Sequence, residues 1–374
     1  MIYFDNAATT KTRPELIDLA VRLNNEYFAN PSSNHALGHE AKRIYEQARK
    51  QILAHFNGDF KLVFTSGATE ANNLFIKGVA LKYKNRGKKL ITTVGEHPSV
   101  LNAFKQLEEE FGFHVTYLPL LEDGSVDPNE LIKSIDDQTI LVSIMHVNNE
   151  VGAINDLAML SKIIKAFPKC FFHSDVTQSI GKIKIPYQFI DAFSFSAHKI
   201  HGFKGSGALI LREKIDLLPL LSGGSHECHV RAGTEAFIPN ILLAKTLRLA
   251  LENEEKSYRH VEALVSYLRA KLALNNEIII NSPVNACPFV LNFSLVNIKS
   301  SIVVEALSNA GIMVSSNSAC DDKLASHSET VYAMYHDLKR SQNSVRISLG
   351  EENTLAEVDH FIEVLNNILE SVKK

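Results

Sequence analysis

Residues 191–202, DAFSFSAHKIHG, hold the side chains with the most evident chemistry. A short apolar strand leads into Ser196, Ala197, His198 and Lys199, and Gly202, Gly205 and Gly207 follow. An amine at a strand end, beside an imidazole, a hydroxyl and a yielding backbone, suits a lysine that condenses with an aldehyde to form a Schiff base. An exposed loop lysine is the ordinary alternative. Residues 64–73, FTSGATEANN, read as a strand, a turn at Gly67 and a helix start. The N–H groups of Ala68 and Thr69 and the helix macrodipole favour an anion there. The same pattern, with Glu70 reaching back, is also that of a capped helix. Asp175 ends another strand and is followed by Gln178. His97 in GEHPSV and Asn148 in MHVNNEVG stand at two further strand ends. Taken singly, Asp175 is also a helix cap and His97 a structural histidine.

Together these residues describe one site. Polar side chains at the carboxyl ends of parallel strands meet where open α/β sheets bind ligands. A phosphate cradle, a Schiff-base lysine, a flat imidazole able to stack on a ring and handle protons, and an acid fit pyridoxal phosphate. That ring needs a carboxylate beside its pyridine nitrogen to act as an electron sink.

The elements that must position these residues are legible as alternation. β-Rich runs at 61–65, 89–94, 114–119, 140–146, 170–175, 192–196 and 207–211 are separated by amphipathic stretches such as 71–83, 100–111 and 157–167. This predicts crossover units on a mainly parallel sheet, and the apolar runs predict that both faces are covered. After Pro239 the pattern changes. A long helix over 241–274 precedes strands at 277–281, 289–294, 312–315 and 345–348, a helix at 301–310 and a closing helix from Thr354. Residues 321–343 are polar and weakly periodic and read as a mobile loop. The expected division is an N-terminal arm at 1–15 associated with the small domain, a large cofactor-binding domain at 16–250, and a small α+β domain at 251–374.

The 374 residues carry a net charge of −3 and no long Lys/Arg run, which argues against a dedicated nucleic-acid or anionic-membrane surface. No basic-then-apolar leader or membrane-length apolar run is present. Cys170, Cys228, Cys287 and Cys320 are widely spaced with no CxxC pair, which points to a reducing cytoplasm rather than a disulfide framework. Cys170 and Cys287 lie in apolar runs and read as core residues. Cys228, between His226 and His229, lacks the further cysteine spacing of a metal site.

The segments YFDNAATT, NPSSNHALG, TSGATEANN, GEHPSV, ILVSIMHVNNEVG, HSDVTQSIGK, SFSAHKIHGFKG, GGSHECHVRAGT, SNSAC and SVRISLG, in this order over nearly the whole chain, resemble the pyridoxal-phosphate-dependent cysteine desulfurases of the NifS/IscS type. These are class V aminotransferase-like enzymes of fold type I, with a large domain built on a seven-stranded sheet. The resemblance implies that Lys199 holds the cofactor covalently and that Ala68, Thr69, Ser196 and His198 bind its phosphate. It implies that Asp175 pairs with the ring nitrogen, Gln178 with the ring oxygen, and that His97 stacks on the ring. Asn148 would orient cofactor or substrate, and Arg346 would hold the substrate carboxylate as a bidentate pair. Thr234 would reach the phosphate of a neighbouring subunit, which implies a homodimer. Cys320 would take sulfur from L-cysteine as a persulfide, leaving alanine, and pass it to a protein acceptor. The same fold also serves selenocysteine lyases and aminotransferases, and a catalytically weak scaffold-like homologue is a further alternative.

The chain departs from that pattern around the nucleophile. Asn317 replaces a glycine, and Asp321 and Asp322 directly follow Cys320. Two adjacent carboxylates disfavour a thiolate, so Cys320 is expected to be a sluggish nucleophile that needs a basic partner. Thiol alkylation against pH tests this: a Cys320 more acidic than free cysteine would contradict it. Ser225 and Cys228 stand where the family has glycine and a basic residue. The chain stops at Lys374, close after its last helix, which favours an acceptor other than the iron–sulfur scaffold, such as a tRNA-thiolating or thiamine-pathway sulfurtransferase.

Overall fold

The computed structural model describes residues 1–316 and 327–372. Its strands are β1 (Ile2–Tyr3), β2 (Phe60–Thr65), β3 (Lys89–Thr93), β4 (His114–Leu118), β5 (Thr139–Ser143), β6 (Phe171–Asp175), β7 (Ala192–Ser196), β8 (Gly207–Arg212), β9 (Ile278–Ile280), β10 (Leu291–Leu295), β11 (Ile312–Met313) and β12 (Ser344–Ile347). The helices are α1 (Pro14–Glu26), α2 (Ala36–Leu53), α3 (Ala68–Tyr83), α4 (Pro98–Phe111), α5 (Pro128–Ser134), α6 (Leu157–Ile164), α7 (Phe237–Leu272), α8 (Ser300–Asn309), α9 (Glu329–Tyr335), α10 (Leu338–Gln342) and α11 (Leu355–Val372).

Seven strands form one sheet in the order β2-β8-β7-β6-β5-β3-β4. Pairing is parallel from β4 through β7, while β8 runs antiparallel to both neighbours. β5 and β7 are buried at every residue, as in a sheet with both faces covered. On one face, Leu74, Phe75, Val79 and Phe104 of α3 and α4 pack against Val63, Leu141 and Leu209. On the other, Tyr45, Ile52, Leu160 and Leu247 of α2, α6 and α7 pack against Phe64, Phe172, Phe193 and Ile210.

A second core surrounds the antiparallel sheet β12-β10-β9, with Phe4, Leu268, Val303 and Phe361 among its members. Helix α7 serves both cores. Leu243, Leu247 and Ala250 bury into the first, and Val261, Leu264, Leu268 and Leu272 into the second. Position 250 is thus a change of packing partner inside a helix, not a linker.

The structure corrects the expected loop over 321–343 for its described part. Residues 329–335 and 338–342 are helical, capped by Ser328 Oγ, which accepts from Val331 N, and by Asp337, which accepts from Arg340 N. Helices of seven and five residues are too short to display a 3.6-residue period. Residues 321–326 lie outside the described residues. None of the helices described is long and apolar enough to cross a membrane.

Candidate active site

The carboxyl ends of β2, β3, β5, β6 and β7 open onto one cavity. Its walls include Ala68, Thr69, His97, Met145, Asn149, Asp175, Gln178, Ser196, His198 and Lys199, with Ala7 and Ala8 from the N-terminal segment and Arg346 from β12.

Close backbone packing shapes the anion end. Gly67 sits at φ 155°, ψ 178°, a region essentially restricted to glycine. A Cβ on Gly207 would lie 2.5 Å from Gly67 Cα and 2.6 Å from the Phe195 carbonyl. Two glycines therefore let the start of α3 approach the end of β7. The contact is direct: Ala68 N donates to Ser196 Oγ at 2.7 Å. Glu70 accepts from Ser66 N, one residue ahead of the N-cap Gly67, at 2.7 Å, and it also pairs with Arg231 at 2.9 Å.

Lys199 Nζ donates to the carbonyls of Ala7 at 2.6 Å and Ala8 at 2.7 Å. Beside it, His198 Nδ1 lies 3.1 Å from Thr9 Oγ1. Burial, and then the charges of Lys199, Lys204 and Lys182, push His198 down to about 4, so its imidazole is neutral at pH 7. Asp175 is buried, accepting from Thr177 N at 2.9 Å and from Asn72 Nδ2 at 2.7 Å. Gln178 has its two ends fixed. Its Oε1 accepts from Lys182 Nζ at 3.0 Å, and its Nε2 donates to the Ala7 carbonyl at 3.0 Å. Burial pulls Lys182 down to about 8. His97 caps α4, its Nδ1 accepting from Ser99 N at 3.1 Å.

Arg346 is a buried cation in the cavity wall. It donates to the Asn149 carbonyl at 3.1 Å and pairs with Asp5 at 3.0 Å, and its Nε meets no partner among the described residues. The backbone of Arg346 also pairs with Ser315, one flank of the segment that carries Cys320. On the other flank, Ser328 and Thr330 donate to Glu150, and Asn148 Nδ2 donates to Thr330 Oγ1 at 3.4 Å. Cys320 itself lies outside the described residues, as do Asn317, Asp321 and Asp322.

An aminotransferase class-V family profile matches residues 2–361. This chain belongs to the class-V aminotransferase family. Among its relatives is a NifS/IcsS protein homolog of Lactobacillus delbrueckii subsp. bulgaricus, 39% identical over 100% of this chain and 98% of the relative. The cysteine desulfurase IscS of Dictyoglomus turgidum is 36% identical over 100% and 95%. A solved structure of a NifS-like protein superposes with a TM-score of 0.92 at 34% identity, covering 99% of both chains. One described as SspA in complex with cysteine gives 0.81 at 30%, covering 95% of this chain and 100% of that one.

Within this class-V chain one expected site residue stands outside the cavity wall. Asn148 does not line the cavity. Its Oδ1 accepts from Glu150 N and Val151 N and its Nδ2 donates to the Gly95 carbonyl, so its amide is spent on the turn; its neighbour Asn149 forms the wall instead. Thr234 is exposed and is not part of this cavity. Cys170 and Cys287 are buried, Cys228 is exposed, and among the described residues no three acidic, His or Cys side chains are grouped for a metal. Sequence reasoning missed Asp5, Ala7, Ala8, Asn72, Ser99, Asn149, Thr177 and Lys182. The quoted segments YFDNAATT and HSDVTQSIGK contain several of them, but nothing local marks which side chain faces the cavity.

Proposed function

We propose that this class-V aminotransferase chain is a pyridoxal-phosphate-dependent cysteine desulfurase. The observation that carries the proposal is the Lys199 amine in a cavity whose walls also present the buried Asp175 carboxylate and the buried Arg346 guanidinium. The donor set fits the cofactor. Ala68, Thr69, Ser196 and His198 line the one cavity and would hold its phosphate. Asp175 would face the ring nitrogen and Gln178 Nε2 the ring oxygen. Thr177 Oγ1, buried in the same wall with no partner among the described residues, leaves one further group to satisfy. When bound, the protonated ring would supply an electron sink for bonds broken at the substrate α-carbon.

Arg346 would take the substrate carboxylate with its Nε and one terminal nitrogen, a charge-assisted fork. Asp5 and the Asn149 carbonyl keep the guanidinium plane in place meanwhile. Lys199 Nζ would carry the α-proton, because the Ala7 and Ala8 carbonyls that hold it belong to the cavity wall. Cys320 Sγ, as a thiolate, would attack the substrate sulfur. The S–S bond forms, the substrate C–S bond breaks, and its electron pair takes a proton at carbon to give alanine. Cys320 is left as a persulfide for a protein acceptor, and no external oxidant is needed. We further read Thr234, exposed on its own chain, as facing the cavity of a second copy in a homodimer.

Alanine and sulfide release from L-cysteine tests the assignment. Wild type should form both with reductant present. Lys199→Ala should lose at least about 100-fold in rate, and Cys320→Ala should lose sulfur transfer while retaining cofactor absorbance. A wild type that carries cofactor yet makes no alanine, with reductant and candidate acceptors supplied, would refute it.

A further inference from the structure

Behind the His97 imidazole runs a directed chain of hydrogen bonds. Asn72, on α3, is fully buried, and its Nδ2 donates one hydrogen to Asp175 Oδ2 at 2.7 Å and the other to Ser99 Oγ at 2.9 Å. Ser99 Oγ lies 2.8 Å from His97 Nδ1, and Ser99 N donates to that same nitrogen at 3.1 Å.

The proton positions follow by elimination. A backbone N–H can only donate, so the 3.1 Å contact from Ser99 N favours a lone pair on His97 Nδ1, and a second donor is needed to hold it there. The hydroxyl of Ser99, already accepting from Asn72, then points its own hydrogen at Nδ1. The Asn72 amide cannot be turned round, because its Oδ1 would face the Asp175 carboxylate. The cost of the present orientation is visible: Asn72 Oδ1 is buried with no partner among the described residues. An amide held at such a cost points to a function for its two donated bonds.

We propose that Ser99 and Asn72 are positioning residues that hold His97 as its Nε2-protonated tautomer and fix its ring relative to Asp175. This deepens the desulfurase reading and rests on it for its catalytic consequence. The imidazole would face the cavity with its proton on a defined atom while Asn72 ties the same unit to the carboxylate assigned to the ring nitrogen. Which nitrogen carries the proton decides whether a histidine donates or accepts at the reacting end.

The test is long-range proton–nitrogen NMR on full-length protein labelled with 15N-histidine, with and without pyridoxal phosphate, and the His97 signals assigned by their loss in His97→Gln. Wild type and Ser99→Thr, which keeps the hydroxyl, should show the proton on Nε2. Ser99→Ala leaves the backbone N–H alone, and Asn72→Leu leaves Ser99 without its donor. Both should show mixed tautomers, and kcat should fall about tenfold, part of the usual general acid–base contribution, with KM and bound cofactor unchanged in Ser99→Ala. A wild-type proton on Nδ1 overturns the proposal, as does a Ser99→Ala protein with the wild-type signature and kcat. The NMR readout needs no substrate, so it fails independently of alanine release.

Discussion

Glu96 lies one residue before His97 and is fully buried. Its Oε1 accepts from Met145 N at 2.7 Å and from Thr93 Oγ1 at 3.2 Å, joining the end of β3 to the loop after β5. Its Oε2 meets no partner among the described residues. Burial pushes the carboxyl up to about 8 and the nearby Asp175 adds to the rise, while the Met145 N–H pulls the other way. Glu96 is therefore largely protonated at pH 7, a neutral bracket behind a site that already holds one carboxylate. In the unfolded chain the same group titrates near 4.5. Between those values the folded protein holds a proton that the unfolded chain has released. Its stabilising contribution is thus complete below about pH 4.5 and is lost as pH rises through about 8. Glu96→Gln keeps the shape and removes the titration. Relative to wild type, the variant should gain stability as pH rises across this window, by at most about 1.4 kcal/mol per pH unit. Urea midpoints of both proteins at about pH 6 and about pH 8 measure it, and a gap that stays constant between them would show that Glu96 is ionised in the fold.

The segment 223–236, which carries Thr234, depends on one carboxylate. Glu227, Cys228 and His229 take φ values of 44°, 58° and 63° in succession, and left-handed backbone costs a non-glycine residue about 1–2 kcal/mol. The run is held by Glu227, whose oxygens accept from Tyr45 OH at 2.7 Å, from Arg49 at 3.0 and 3.1 Å, and from Phe64 N at 2.8 Å. Asn240 of α7 donates to the same Tyr45 hydroxyl at 2.8 Å. A single side chain thus joins the turn to α2, β2 and α7. Glu227→Ala should cost about 3–5 kcal/mol, because it removes four hydrogen bonds and leaves the half-buried Arg49 guanidinium with only Glu46 and the Leu62 carbonyl. The denaturant midpoint reads the cost, and limited proteolysis should open within 223–236 before the rest of the chain. Sequence alone singled out Cys228 and Ser225 here and passed over Glu227, since its partners lie as far as 182 residues away. The strands of the large sheet were legible to within about three residues, because an apolar run bounded by turn residues is a local signal. Short helices whose stability comes from caps and packing, such as α9 and α10, left no such signal. Asn148 was legible as a strand-end residue. That its amide closes a turn was not, because backbone donors two and three residues on have no mark in the sequence.

At the scale of the whole molecule, residues 2–10 stitch the two cores together across the cavity. β1 pairs in parallel with β11, and Phe4 is fully buried in the second core, its ring centroid 5.9 Å from that of Phe361. Asp5 then pairs with Arg346, the carbonyls of Ala7 and Ala8 take the Lys199 amine, and Thr9 and Thr10 bond His198. No sequence period reveals such a strap, because its partners lie roughly 190 to 340 residues onward. Its consequence is a coupling between packing in one core and occupancy of a site at the other. Phe4→Ala should cost about 3–5 kcal/mol, as for other buried aromatic truncations. Since Phe4 anchors Asp5 and the two alanine carbonyls, the loss should also lower bound pyridoxal phosphate per chain. Leu268→Ala is the control: Leu268 is equally buried in the same core but lies on α7, outside the strap. Its destabilisation should be about 2–5 kcal/mol with cofactor content near wild type at temperatures where both variants stay folded. Cofactor absorbance and melting temperature, measured on the same samples, separate the two effects. Equal cofactor content in both variants would mean that residues 5–8 keep their place without the Phe4 anchor. A deficit confined to Phe4→Ala would mean that the strap transmits the packing of the second core to Lys199, the amine proposed to hold the cofactor.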